Sequence, residues 1–260
     1  MTRIASVFMK PRHKALIPYL TVGYPDLEIT QKAVKLLVDC GADIIELGIP
    51  FSDPMADGAT IQESSYSALK NGVTTPICLE TAQILRQTTE GPLVFMTYFN
   101  PVLKYGIDKF CIASQNVGID GLIVPDLPPE EGTLLEKSTQ EHAVDLIYLL
   151  APTSTNKRIQ TVSKKSRGFI YLVSIAGVTG ARNSLPPSLE SFIGRVRNVA
   201  NQPLCVGFGI STADQASQIS SVSDGVIIGS KLIQLMKSDP SLKSLEFFVK
   251  SVRKGLDAQF

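Results

Sequence analysis

Residues 43–58 read DIIELGIPFSDPMADG, and the apolar β-type run within them contains one acid, Glu46. A strand that is buried on both faces forms a continuous apolar run, whereas a strand with one face in water alternates. Further runs of this kind begin at residues 15, 92, 120, 145, 168, 203 and 224. The pattern therefore predicts eight strands of a parallel sheet that is covered by helices.

The segments between these runs have the spacing of helices. The clearest is LEITQKAVKLLVDCG, where Gly41 supplies the stop. Residues 58–90 are long enough for two helices in one connection. We therefore predict one α/β domain over residues 1–260, a (β/α)8 TIM barrel with an extra N-terminal helix and additional helices after strands 2 and 8. A doubly wound open sheet is the competing fold, although it normally has fewer strands.

The composition excludes several classes of function. There are 25 Lys and Arg against 24 Asp and Glu, a formal charge of +1, so no cationic surplus is available for a nucleic acid. The longest apolar runs stop far short of the roughly 20 residues of a membrane span. No secretory signal begins the chain, and we expect a soluble, cytoplasmic protein. The cysteines are scattered and there are only two histidines, which disfavours a metal site of His or Cys ligands and leaves a carboxylate-bound ion open; these residues are Cys40, Cys78, Cys111, Cys205, His13 and His142.

Two carboxylates accompany the second predicted strand. The active site of a barrel lies at the C-terminal ends of its strands, which is where Glu46 and Asp57 fall. An apolar environment raises the pKa of a carboxyl group into the range that acid–base catalysis uses. Glu46 could instead be an interior acid paired with a Lys or Arg, and Asp57 could cap the helix that begins near Ala59.

Glycines cluster in the last three units, in AGVTGA (176–181), GFGIST (207–212) and IIGSKL (227–232). Backbone N–H groups near Gly229 and Ser230, at the start of a helix, predict a phosphate site, although such glycines also serve tight turns. The stretch SIAGVTGARNSLPPS (174–188) is a candidate lid. Tyr171 precedes it and could face the pocket or lie in the core.

These motifs together resemble a known family. IELGIPFSDPMADGATIQ (45–62), MTYFNPVLKYG (96–106), VPDLPPEE (124–131), YLVSIAGVTGAR (171–182), GFGIS (207–211) and GVIIGS (225–230) are similar to those of the tryptophan synthase α chain. The resemblance implies a lyase of tryptophan biosynthesis that cleaves indole-3-glycerol phosphate into indole and glyceraldehyde 3-phosphate. The indole would pass to a β subunit that carries pyridoxal phosphate, and this chain itself would need no cofactor and no metal.

The resemblance also implies roles for individual residues. Glu46 matches the catalytic acid/base, Asp57 the carboxylate that binds the indole N–H, and Tyr171 an active-site tyrosine. Thr179 matches a lid residue that contacts the loop aspartate. The remaining matches fall into three groups, namely the phosphate clamp (Gly180, Gly209, Gly229, Ser230), the indole pocket (Tyr19, Met96, Pro125, Leu149, Phe208) and the face toward the β subunit of an α2β2 heterotetramer (Asp53, Asn100, Asp126, Pro128).

Some positions depart from the family pattern: Tyr19 stands in place of Phe, Tyr24 in place of Asp, Ala59 in place of Pro and Ile175 in place of Arg. None of these removes a catalytic group, but Tyr24 and Ile175 could alter lid closure. Two other functions therefore stay open at this point. One is a catalytically impaired subunit that mainly activates β, and the other is a different phosphate-binding barrel, such as a sugar-phosphate isomerase.

Overall fold

The computed structural model of the chain describes residues 2–174, 187–207 and 209–259. The strands are short and parallel, and nearly all of their residues are buried, as continuous apolar runs predict. Their bounds are β1 Ala15–Thr21, β2 Ile45–Gly48, β3 Leu93–Met96, β4 Gly121–Ile123, β5 Asp145–Ile147, β6 Leu149–Leu150, β7 Ile170–Val173, β8 Leu204–Gly207 and β9 Gly225–Ile228.

The strands form one sheet in the order β5-β4-β3-β2-β1-β9-β8-β7-β6. The two ends of this order, β5 and β6, are separated only by Tyr148, so the sheet curves into a nearly closed barrel and the predicted (β/α)8 fold is confirmed. The fifth predicted strand is divided because the Tyr148 N–H donates to Ser166 Oγ, at 3.0 Å, and leaves the ladder. The competing open sheet is wrong.

Helices follow the strands around the barrel. Their bounds are α1 Arg3–Val7, α2 Leu27–Asp39, α3 Ala59–Lys70, α4 Thr75–Arg86, α5 Phe99–Tyr105, α6 Ile107–Asn116, α7 Thr133–Glu141, α8 Asn156–Lys165, α9 Pro187–Arg197, α10 Ala213–Val222, α11 Ser230–Ser238 and α12 Lys243–Asp257. The extra N-terminal helix, the pair after β2 and the pair after the last strand are confirmed. The short helix α5 was not predicted. None of the helices in the described ranges has the length and apolar character that a membrane span requires.

Aspartates tie together the N-terminal end of the barrel. Asp43, which precedes β2, accepts hydrogen bonds from the Leu16 N–H of β1 at 3.0 Å, from Lys10 Nζ at 3.1 Å and from Arg253 Nη1 at 3.1 Å. Asp120, before β4, accepts in the same way from the N–H of Leu93 on β3. Each of these carboxylates is buried and satisfied, so this end of the barrel is a structural layer.

Candidate functional site

Glu46 lies on β2, in register with Tyr19 of β1 and Val94 of β3. Its side chain is 1% exposed, and neither carboxyl oxygen has a hydrogen-bond partner among the described residues. The interpretation of Glu46 as an interior acid paired with Lys or Arg is therefore wrong. Burial, with a smaller contribution from the negative charge of Asp57, raises the pKa of Glu46 to about 8. The carboxyl group consequently holds its proton at neutral pH.

Asp57 lies in the loop between β2 and α3. The N-cap of α3 is Gly58 and receives no side-chain hydrogen bond, so the capping role considered for Asp57 is wrong. Asp57 Oδ2 instead accepts a hydrogen bond from the Tyr98 hydroxyl at 3.0 Å, and that hydroxyl accepts from the Ala56 N–H at 3.0 Å. Burial raises the pKa of Asp57 to about 6, while the hydrogen bond from Tyr98 acts in the opposite direction. Asp57 is thus mostly ionised at neutral pH, when Glu46 is mostly protonated.

One cavity contains both carboxyl groups. Its lining includes many of the residues that the sequence singled out, which are Tyr19, Glu46, Asp57, Met96, Tyr171, Gly209, Gly229 and Ser230. Other lining residues were not singled out, and they are Gly58, Ile61, Ile210, Ser211, Ile227, Lys231 and Gln234. The apolar members surround the acids, which explains why desolvation dominates both pKa shifts.

Two tyrosines line the same cavity as Glu46, and each lies against a glycine of a neighbouring strand. A Cβ atom at Gly48 would overlap the Tyr19 hydroxyl, and one at Gly207 would overlap the hydroxyl of Tyr171. Each ring therefore requires a glycine on the neighbouring strand. Burial first, and then the negative charge of Asp57 or Glu46, raises the pKa of both phenols well above the usual value. Both hydroxyls are neutral polar groups in an otherwise apolar part of the cavity.

The part of the cavity at the start of α11 suits an anion. Helix α11 begins at Ser230, and its N-cap, Gly229, supplies no side-chain hydrogen bond to the first turn. Unpaired N–H groups and the positive end of the helix dipole attract negative charge. Gly209 lies at the same cavity with a φ of +79°, a conformation that favours glycine. The predicted phosphate residues Gly209, Gly229 and Ser230 are thereby brought together.

The other members of the predicted indole pocket lie next to this cavity. Pro125 and Leu149 line a second cavity, and Met96 lines both. Asp126 and Pro128, predicted to face a partner, also line the second cavity, and the Asp126 carboxylate accepts from the Phe99 N–H at 2.9 Å. The two remaining predicted contact residues, Asp53 and Asn100, are exposed. The structure therefore separates Pro125 and Leu149 from the immediate surroundings of Glu46.

Four residues considered from the sequence, Ile175, Thr179, Gly180 and Phe208, lie outside the described residues. Their roles in the lid, the phosphate clamp and the indole pocket stay predictions. Among the residues that are described, no group of three or more His, Cys, Asp or Glu side chains could hold a metal ion.

Tyr98, within the motif MTYFNP, is a residue of the site that the sequence did not predict. It lies two residues after the end of β3, and its ring stacks on Phe51 of the β2 loop with centroids 5.2 Å apart. A polar aromatic residue just after a barrel strand is the available signal, because loops after strands carry the site. Ile61 and Gln234 sit on helices α3 and α11, and their approach to the cavity depends on packing that one sequence does not reveal.

Comparison with known proteins identifies the family of the chain. The family model described as tryptophan synthase alpha chain matches residues 6–254. The tryptophan synthase alpha chain of Dehalococcoides mccartyi is 54% identical, over 99% of this chain and 100% of that protein. Crystal structures of tryptophan synthase from M. tuberculosis and of tryptophan synthase subunit alpha from Legionella pneumophila are each 36% identical, cover 99% of both chains, and give TM-scores of 0.91 and 0.92. The chain therefore belongs to the tryptophan synthase alpha chain family.

Proposed function

We propose that this chain cleaves indole-3-glycerol phosphate into indole and glyceraldehyde 3-phosphate, which makes it a carbon–carbon lyase. The observation that carries the proposal is the pairing of Glu46 and Asp57 in one cavity, with pKa values raised to about 8 and about 6. Between these values, one carboxyl group holds a proton while the other bears a charge. A retro-aldol reaction on an indole ring uses both forms.

The protonated Glu46 acts first as an acid and gives its proton to C3 of the indole ring. Positive charge then develops at the ring nitrogen, where ionised Asp57 accepts the N–H and stabilises that charge. The Glu46 carboxylate next removes the proton of the glycerol hydroxyl beside the ring. The carbon–carbon bond breaks, its electrons return to the ring, and an aldehyde forms. Glu46 ends in its protonated form, so the cycle balances without a cofactor in this chain.

The cavity matches the two ends of this substrate. A flat heterocycle fits among Tyr19, Ile61, Met96 and Ile227, which together with the acids line the apolar part. The phosphate fits at the first turn of α11, beside Gly209 and Gly229. Tyr171 contributes a neutral phenol to the Glu46 end of the same space.

We propose further that a tryptophan synthase β subunit with pyridoxal phosphate receives the indole within an α2β2 heterotetramer. Family membership implies the β partner, and Asp53, Asn100, Asp126 and Pro128 are the residues that we expect at the contact. Asp53, Asn100 and Asp126 are exposed, as such a contact requires. Because the family serves amino-acid biosynthesis, we propose that the complex works in the cytoplasm.

The test is indole release from indole-3-glycerol phosphate by the purified chain, alone and with a tryptophan synthase β subunit. We expect indole in both cases and a higher rate with β. If β were stimulated but no indole were released in either case, the proposed reaction would be contradicted, and the chain would be an activating subunit. Family membership by itself gives no support to that alternative over the lyase. Turnover of a sugar phosphate that lacks an indole ring would identify a different barrel enzyme.

A further inference from the structure

Lys231 is the second residue of α11 and lines the cavity that contains Glu46 and Asp57. No carboxylate of the described residues forms an ion pair with its ammonium group, and none of them forms a hydrogen bond with it. The other lysine of the same helix behaves differently, because Lys237 pairs with Glu63 on α3. The structure thus leaves one lysine of α11 at the cavity with its charge uncompensated.

The place of this charge on the helix is locally unfavourable. A cation in the first turn is repelled by the positive end of the helix dipole, and the first turn of α11 contains no acid that could offset it. An anion bound in front of this turn would interact favourably with both the helix end and the ammonium group. Glu46 independently indicates that this cavity receives a ligand, since its carboxyl is 1% exposed, lines the cavity and has no partner among the described residues.

We propose that the Lys231 ammonium group pairs with the phosphate of the substrate and adds a side-chain cation to a clamp that backbone N–H groups otherwise form. The inference rests on the proposed function, because it deepens the anion end of the same cavity. A phosphate monoester carries a charge of about −1.5 to −2 at pH 7. The positive end of one helix dipole, equivalent to roughly half an elementary charge, neutralises only part of it. The long, flexible stem of lysine lets the ammonium follow the phosphate as a point charge.

Steady-state kinetics with Lys231→Met tests this pairing. We expect KM for indole-3-glycerol phosphate to rise about 5-fold, the effect of a partly exposed ion pair worth about 1 kcal/mol. The value of kcat should stay within about 2-fold, because Lys231 meets the phosphate and not the reacting carbon. Lys231→Arg should restore most of the affinity. The matched control, Lys237→Met, removes the same charge from the same helix and should leave KM unchanged.

Binding of inorganic phosphate, measured by calorimetry, separates this inference from the proposed reaction. Phosphate affinity should fall in Lys231→Met and not in Lys237→Met, whether or not the chain releases indole. The Tm of ligand-free Lys231→Met should equal or exceed that of the wild type, because a cation has left the helix N-terminus. Indole release with equal KM and equal phosphate affinity in both methionine variants would overturn the role of Lys231 and leave the lyase intact.

Discussion

Asp43 and Glu46 stand three positions apart at opposite ends of the same short stretch of chain, and their surroundings differ completely. Asp43, at the N-terminal end of the barrel, accepts hydrogen bonds from Lys10, Arg253 and the Leu16 N–H. Glu46, at the other end, is more deeply buried and has no partner among the described residues. The same functional group is thus neutralised by cations in one place and by its own proton in the other.

The difference in hydrogen-bond partners distinguishes carboxylates that stabilise the fold from carboxyl groups that transfer protons. A buried carboxylate with cations and N–H donors around it holds strands together, and losing one partner costs stability. A buried carboxyl group without partners costs stability, and its raised pKa makes it a proton donor at neutral pH. The fold tolerates the second kind at the C-terminal end of the barrel, where a substrate can approach.

Glu46→Gln should give the largest effect. Glutamine keeps the size of the side chain but cannot transfer a proton, so we expect kcat to fall about 1,000-fold with little change in KM. Indole release from indole-3-glycerol phosphate measures both constants. A turnover within a few-fold of the wild type would remove Glu46 from the mechanism.

Asp43→Asn should affect stability where Glu46→Gln affects rate. Removing the charge takes the buried anion from Arg253 and leaves it only the exposed carboxylate of Asp257, so we expect the free energy of unfolding to fall by about 3 kcal/mol. Urea denaturation measures this loss, and kcat of the folded fraction should be close to that of the wild type. If Asp43→Asn were as stable as the wild type, the N-terminal carboxylates would not form a structural layer.

Tyr98→Phe tests how the hydrogen bond from Tyr98 affects the pKa of Asp57. The hydrogen bond from Tyr98 lowers the pKa of Asp57 against the effect of burial, so its loss should raise that pKa further above about 6. The acidic limb of the pH profile of kcat/KM should move to higher pH, and the rate near pH 6 should fall about 10-fold. Tyr105→Phe, which removes a hydroxyl that does not line this cavity, is the control and should leave the limb in place.

A further effect of Glu46 concerns the pH dependence of stability. Unfolded Glu46 loses its proton near pH 4.5, and folded Glu46 keeps it to about pH 8. Between these values the folded chain binds the extra proton, so stability falls as pH rises, by at most about 1.4 kcal/mol per pH unit. Glu46→Gln should lose this contribution, so denaturation of both proteins from pH 5 to 8 should show a widening gap in favour of the variant. A constant gap would contradict the raised pKa.

The strands could be predicted from the sequence because a strand that is buried on both faces is a continuous apolar run. It also placed Glu46 and Asp57 at the mouth of the barrel, since strand ends and Pro/Gly loops are visible in one sequence. Gly209 and Gly229 were found for the same reason. These features depend on local chain geometry, and local geometry is what residue patterns encode.

The features that were missed depend on contacts between distant segments. The division of β5 from β6 follows from a hydrogen bond between Tyr148 and Ser166, eighteen residues along the chain. The hydrogen bond from Tyr98 to Asp57 joins two loops that meet only after the barrel has formed. Lys231 looks like an ordinary surface residue until the helix is placed against the cavity.

A measurement of the protonation state of Glu46 tests the proposed mechanism without relying on turnover. Infrared difference spectra of wild type minus Glu46→Gln report the carbonyl stretch of a protonated carboxyl group, which an ionised group lacks. We predict that the band is present at pH 6.5 and disappears with a midpoint near pH 8, because burial favours the neutral acid. A carboxylate already ionised at pH 6.5 would contradict the claim that Glu46 carries the proton that starts cleavage.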